Sequence, residues 1–262
     1  AAFALLLSRP SAAFTLTVND REFESWSLFC KVSYLASNAD KKFAHTGKVS
    51  RADRNRIGDV REGYGGPWHY CAGIIALQRA MYAGDIQKRK HWAKRANSEA
   101  GFTYRRLEPG HWIREDAGVV IGRANMLLGD YKTASQVLFE VIKEFPRSEK
   151  GHLALYFLYR QGGAIEKAQD ILERGNQALD GRSAQIHYFL GLAYVDQGKL
   201  ERAEKHAERA YALGYPLPGL KDRLDAAKTE RKAERKTKRT EGTRTKAIEE
   251  TSDSAAGDSR KL

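Results

Sequence analysis

Proline is scarce: six residues in 262. With few helix breakers and many Ala, Leu, Lys, Arg and Glu residues, the composition favours helix over strand. Long apolar runs are missing as well. The run Ala1 to Leu7 falls well short of the roughly 20 residues that a membrane-spanning helix needs. No GxxxxGK(S/T) phosphate loop, no HExxH pair, no GxSxG turn and no paired CxxC spacing occurs. These absences exclude an enzyme built on any of those motifs. The histidines (His45, His69, His91, His111, His152, His187 and His206) fit no ligand spacing, so neither a metal nor a cofactor is expected. His152 and His187 hold equivalent places in successive helical patterns, where ordinary polar side chains are the simpler reading. His69 and Cys71 are two residues apart, which on a helix points them to different sides and argues against a nucleophile–base pair.

Cysteine is limited to Cys30 and Cys71. Two readings stand, a bridge closing a long loop or two buried thiols. The first depends on an oxidising compartment. The N-terminus bears on that point. Its short apolar run is followed by Ser11-Ala12-Ala13, a small-x-small cleavage site, and residues 1–13 read as a truncated export signal. The other reading is an apolar arm packed on the domain. Export predicts a periplasmic protein.

The formal charge is +12, and mean hydropathy is −0.60. Between Lys228 and Lys246 stand nine basic and three acidic residues, which is half of the excess. From Thr229 onward large apolar residues are nearly absent, so residues 229–262 are expected to be a basic, disordered tail. That tail could meet an anionic surface; without interleaved aromatics, nucleic acid is a poor candidate.

The rest of the chain repeats. Three segments align, at 115–148, 149–180 and 184–216. Their anchor alanines, Ala134, Ala168 and Ala203, are separated by 34 and 35 residues. Each alanine follows a turn glycine (Gly129, Gly163, Gly198), and seven residues before that glycine stands Gly122, Tyr156 or Gly191. Leu190, Ala193 and Tyr194 keep the apolar spacing of one helix face. The period and these small residues resemble the tetratricopeptide repeat family, and the stretch ALGYPLPGLKDRL resembles endings of its bacterial cell-envelope members. Tyr156 departs from the pattern.

That resemblance implies an all-α fold, an alpha-alpha superhelix of paired helices with the small residues at the helix crossings. A degenerate pair precedes it at 67–110, with helices expected at about Trp68–Tyr82 and Gln87–Leu107 and with Gly73 at the crossing. Residues 14–66 form a partly irregular cap containing an apolar stripe at Phe23, Trp26, Phe29 and Cys30. The array and a capping helix through Leu220 and Leu224 fill 111–228.

The resemblance also implies function: a scaffold, not an enzyme, that binds a protein or peptide in the groove lined by the first helix of each pair. Aligned groove residues are Tyr70, Asp116, Arg123, Met126, Phe157, Arg160, Tyr188 and Leu192. Phe157 and Tyr188 would anchor apolar side chains, and Arg123 and Arg160 would pair with an acidic group. The alternative is a permanent structural or accessory subunit of a larger envelope complex, for pilus, secretion or polysaccharide assembly or around a membrane enzyme.

Overall fold

The computed structural model describes residues 16–37, 45–56 and 68–258. The expected export segment, 1–13, lies outside them, as does much of the expected loop before Trp68. Among the described residues there is no strand, and the chain is all-α. It divides into two compact units, Ala1–Ala168 and Gln169–Leu262.

The first unit opens with α1 (Asp20–Ser25), α2 (Leu28–Ala36), a 3-10 turn at Thr46–Lys48 and α3 (Arg51–Arg56). The apolar stripe from Phe23 to Cys30 is therefore two helices. The break is local. Asn19 and Glu22 cap each other's backbone at the start of α1, and the Ser27 hydroxyl accepts the Cys30 N–H to begin α2. Leu16, Phe23, Trp26 and Tyr34 are buried in one core with α4 (Trp68–Tyr82). Arg79 of α4 donates to both oxygens of Glu22 at 2.7 Å and to the Thr17 carbonyl, also at 2.7 Å. Cys30 and Cys71 are disulfide-bonded, S–S 2.05 Å. Covalent and ionic contacts thus hold the cap on α4.

Next come α5 (Ile86–Tyr104), α6 (Trp112–Leu128), α7 (Tyr131–Glu144) and α8 (Glu149–Gln161). From α5 to α8 each helix packs on the one before it, in the manner of a helical solenoid. The alternate helices α4, α6 and α8 also lie side by side. The turns are built from the residues that sequence singles out. Gly129 and Gly163 have φ of +82° and +75°, the left-handed region that ends a helix cheaply only at glycine. Asp130 and Ser148 then cap α7 and α8. Arg114 donates to the Glu144 carboxylate at 2.9 Å and to the carbonyls of Tyr104 and Leu107, tying the α5–α6 turn to the end of α7.

Small residues stand where helices cross. A Cβ on Gly73 would lie 3.0 Å from the Ala100 Cβ, and one on Gly122 would lie 2.5 Å from Leu138 Cγ. Gly118, which the repeat pattern does not mark, is as tight, 2.4 Å from Val141 Cγ2. Ala134 and Ala168 are buried.

The second unit holds the rest of α9 (Ile165–Ala178), α10 (Ala184–Asp196), α11 (Leu200–Ala212) and α12 (Gly219–Asp258). The division falls within α9, so the expected second repeat is shared between the units. Ser183 caps α10, Gly198 turns the chain with φ +69°, and Ala203 is buried in α11. Gly191 is a crossing residue with a different partner from the one its repeat implies. The side chain against it is Leu220 of α12, 2.4 Å from where its Cβ would be.

The basic tail follows in α12. It is helix, continuous in α12 through Asp258. Lys, Arg, Glu and Ala lose little conformational freedom in a helix, and no proline interrupts them. Leu220 and Leu224 anchor the start of α12 in the core of the unit, and residues 229–238 are exposed throughout.

Candidate functional site: a hollow on the α4–α6–α8 face

Because α4, α6 and α8 run side by side, the first helices of successive pairs share one face of the first unit. Two adjoining hollows open there, about 330 Å³ and 170 Å³, and share Leu77, Met81 and Arg123. The larger has a polar end. Asp116 accepts from the Tyr70 hydroxyl at 2.8 Å and from Lys150 Nζ at 2.6 Å. Burial first, and then the Asp116 carboxylate, hold the Tyr70 hydroxyl protonated far above the ordinary phenol range. The smaller is apolar, with Met126, Leu127, Ala154 and Phe157 on its walls and Gln161 at its edge.

Arg123 stands between the two. Its guanidinium donates to the Met81 sulfur at 3.2 Å, and among the described residues it meets no carboxylate. Burial lowers its pKa, the mark of a cation short of solvation and of a counter-charge. The chain's two methionines both line this small region. Flexible thioethers give such walls a shape that adapts to what enters. Chemically, the hollow suits an apolar side chain at one end and an anionic group at Arg123.

Of the residues expected in the groove, Tyr70, Asp116, Arg123, Met126 and Phe157 are brought together here. Arg160 is not among the lining residues; it donates to the Tyr156 hydroxyl at 2.6 Å. Tyr188 and Leu192, in the second unit, are each only 8% exposed. Leu220 covers them, and Tyr215 stacks on Tyr188 with ring centroids 4.1 Å apart. They are core residues, because the terminal helix closes over the last face of its unit. Met81 was missed. It follows Leu77 by one helical turn, a spacing that puts both on one face.

The remaining polar clusters are spoken for. Cys71 is in the disulfide, and His69 faces Glu99 instead, Nδ1 to Oε2 at 2.6 Å, with Arg95 on the other carboxylate oxygen at 3.1 Å. In the second unit His187 and His206 pair, Nδ1 to Nδ1 at 2.9 Å, and the His187 Nε2 meets the Gly181 carbonyl at 3.1 Å. The repeat spacing did not indicate that pair. Among the described residues no group of three or more His, Cys, Asp or Glu side chains is placed to hold a metal ion.

No known family model matches the chain, and no curated protein does. Among solved structures, the chain is similar to the crystal structure of a tetratricopeptide repeat protein from Parabacteroides merdae ATCC 43184. The identity is 13%, the match covers 75% of this chain and 99% of that one, and the TM-score is 0.28. A likeness of that size carries no argument about fold or function.

Proposed function

We propose that the chain is a tetratricopeptide-type interaction scaffold that takes a segment of a partner protein into the α4–α6–α8 hollow. The observation that carries this reading is Arg123, a largely buried cation that pairs with no carboxylate among the described residues, the nearby Asp116 being engaged by Tyr70 and Lys150. A partner that brings an acidic group there satisfies the guanidinium, while its neighbouring apolar side chain fills the wall beside Phe157. The reading extends to the periplasm, supported by the small-x-small site at Ser11 to Ala13 and by the Cys30–Cys71 bond, since such bonds persist mainly in oxidising compartments. Fractionation of the native cells tests the compartment.

Peptides selected from a random display library on the immobilised full chain test the hollow. They should favour an acidic residue beside an apolar one. Arg123→Ala should weaken them at least tenfold, the scale of a charged hydrogen bond worth about 1.5–3 kcal/mol. Selected peptides that bind wild type and Arg123→Ala alike would remove the hollow from consideration. A second reading, a permanent subunit of an envelope assembly, draws on apolar side chains exposed outside the hollow: Tyr82, Ile86 and Trp112. An obligate subunit should aggregate when purified alone, whereas a groove binder should elute as a well-defined species.

A further inference from the structure

The α4–α6–α8 face continues past the hollow, toward the first turn of α6. A helix advances about 100° per residue, so Trp112, Glu115, Asp116, Val119, Arg123 and Met126 share an arc of about 100° along α6. Trp112 therefore lies one turn beyond Asp116 on the face that floors the hollow, and it is 54% exposed. The cap supplies a wall beside it. Phe29 of α2, half-buried against the core of the unit, meets the Trp112 ring edge-on with centroids 5.1 Å apart. Phe29 precedes Cys30 and Tyr70 precedes Cys71, so the Cys30–Cys71 bond holds this aromatic pair near the hollow's polar end. Charge along the face is uneven. Asp116 is answered by Lys150. Glu115 is in no ion pair among the described residues, and its carboxylate acts on the Tyr70 hydroxyl, which puts it at the same end. At the other end Arg123 meets no carboxylate. One negative and one positive charge thus stand unanswered, eight residues apart, about 12 Å along the helix axis.

We propose that the Trp112 end of this face is a second subsite, which takes a basic side chain of the same partner segment. The aliphatic stem of that side chain lies on Trp112 beside Phe29, and its cation faces the ring and Glu115. The inference rests on the hollow being the docking site, and it adds the polarity of what docks. The partner segment carries its acidic group at Arg123 and its basic group about 12 Å away, the axial spacing of the two protein charges. A segment laid the other way round would set like charges against each other at both ends, which disfavours it. A neutral apolar side chain would cover the rings but gain nothing from Glu115. The face therefore selects direction as well as composition.

The probes are peptides selected from a random display library on the immobilised full chain, labelled and titrated by fluorescence anisotropy at low salt. Lys or Arg should recur in them at one fixed separation from the acidic residue. An exposed ring and an exposed carboxylate each contribute up to about fivefold to holding a cation, so W112A/E115Q should weaken these peptides by about tenfold. Replacing the peptide's basic residue by glutamine should cost about as much on wild type and nothing further on the double variant. A merely structural effect of the substitutions does not produce that coupling. Peptides without a recurrent base would overturn the subsite, as would a base whose replacement costs the same on both proteins. If R123A still weakens those peptides, the hollow stands and the subsite alone falls. If R123A has no effect either, or the library yields no binder, both readings fall. Should circular dichroism show W112A/E115Q to be misfolded, E115K takes its place: selection on it should exchange the recurrent base for Asp or Glu, and an unchanged preference for Lys or Arg would overturn the proposal.

Discussion

Gly122→Ala adds one methyl group where α6 crosses α7. On the present backbone that carbon stands 2.5 Å from Leu138 Cγ and 2.6 Å from its Cδ2. Leu138 is fully buried, so it has little room to yield. Two effects oppose each other. Alanine favours a helix interior over glycine by about 1 kcal/mol, while overpacking a filled core costs about 1–3 kcal/mol. The single substitution should therefore destabilise by about 1 kcal/mol. Leu138→Ala alone should cost about 2–5 kcal/mol. In the double variant the clash is gone and the new methyl occupies part of the void, so Gly122→Ala should then stabilise by about 1 kcal/mol. The coupling is about 2 kcal/mol, well outside the roughly 0.5 kcal/mol within which independent sites add. Denaturant unfolding of the four proteins, followed by far-UV circular dichroism, measures it. Additive changes, or a Gly122→Ala protein more stable than wild type, would refute the crossing.

Two further outcomes are expected. Cys30 and Cys71 are 41 residues apart, and a bridge closing a loop of that size contributes about 4 kcal/mol; reduction, or Cys30→Ser with Cys71→Ser, should lower the melting temperature of the cap and α4 by many degrees, and an unchanged melt would show that the ionic contacts of Arg79 suffice. Burial, and then the neighbouring His187, hold His206 down to about 4, against roughly 6.5 for a free imidazole. The unfolded chain takes up that proton first, so this contribution is whole above about pH 6.5 and is lost as pH falls toward 4. An NMR titration of His206 with an ordinary midpoint would contradict this.

The crossing glycines and turn glycines were legible because they answer to local rules. A left-handed turn needs glycine wherever it falls, and a 34-residue spacing brings each such turn back in phase. Gly118 escaped notice because its small size serves contacts with Val141 and Tyr104, which belong to two different helices. Half of the candidate site was legible for a similar reason. Asp116, Arg123 and Met126 share one face of α6 by helical spacing alone. Arg160 and Tyr188 lie outside this hollow because of their neighbours, Tyr156 one turn earlier on the same helix and Tyr215 beyond another. Low hydropathy shows that a segment cannot form a core, but not that its backbone leaves the helix.

Amino-acid order by itself determined the all-α class, the two helices around Gly84 and the small residues at the crossings, because helix propensity, capping and close backbone approach act over a few residues. Only the tertiary structure decided which of the aligned groove positions are open. That depends on what packs over them. α12 closes the face at Tyr188 and Leu192, whereas the face at Arg123 is left uncovered among the described residues, with its charge unanswered.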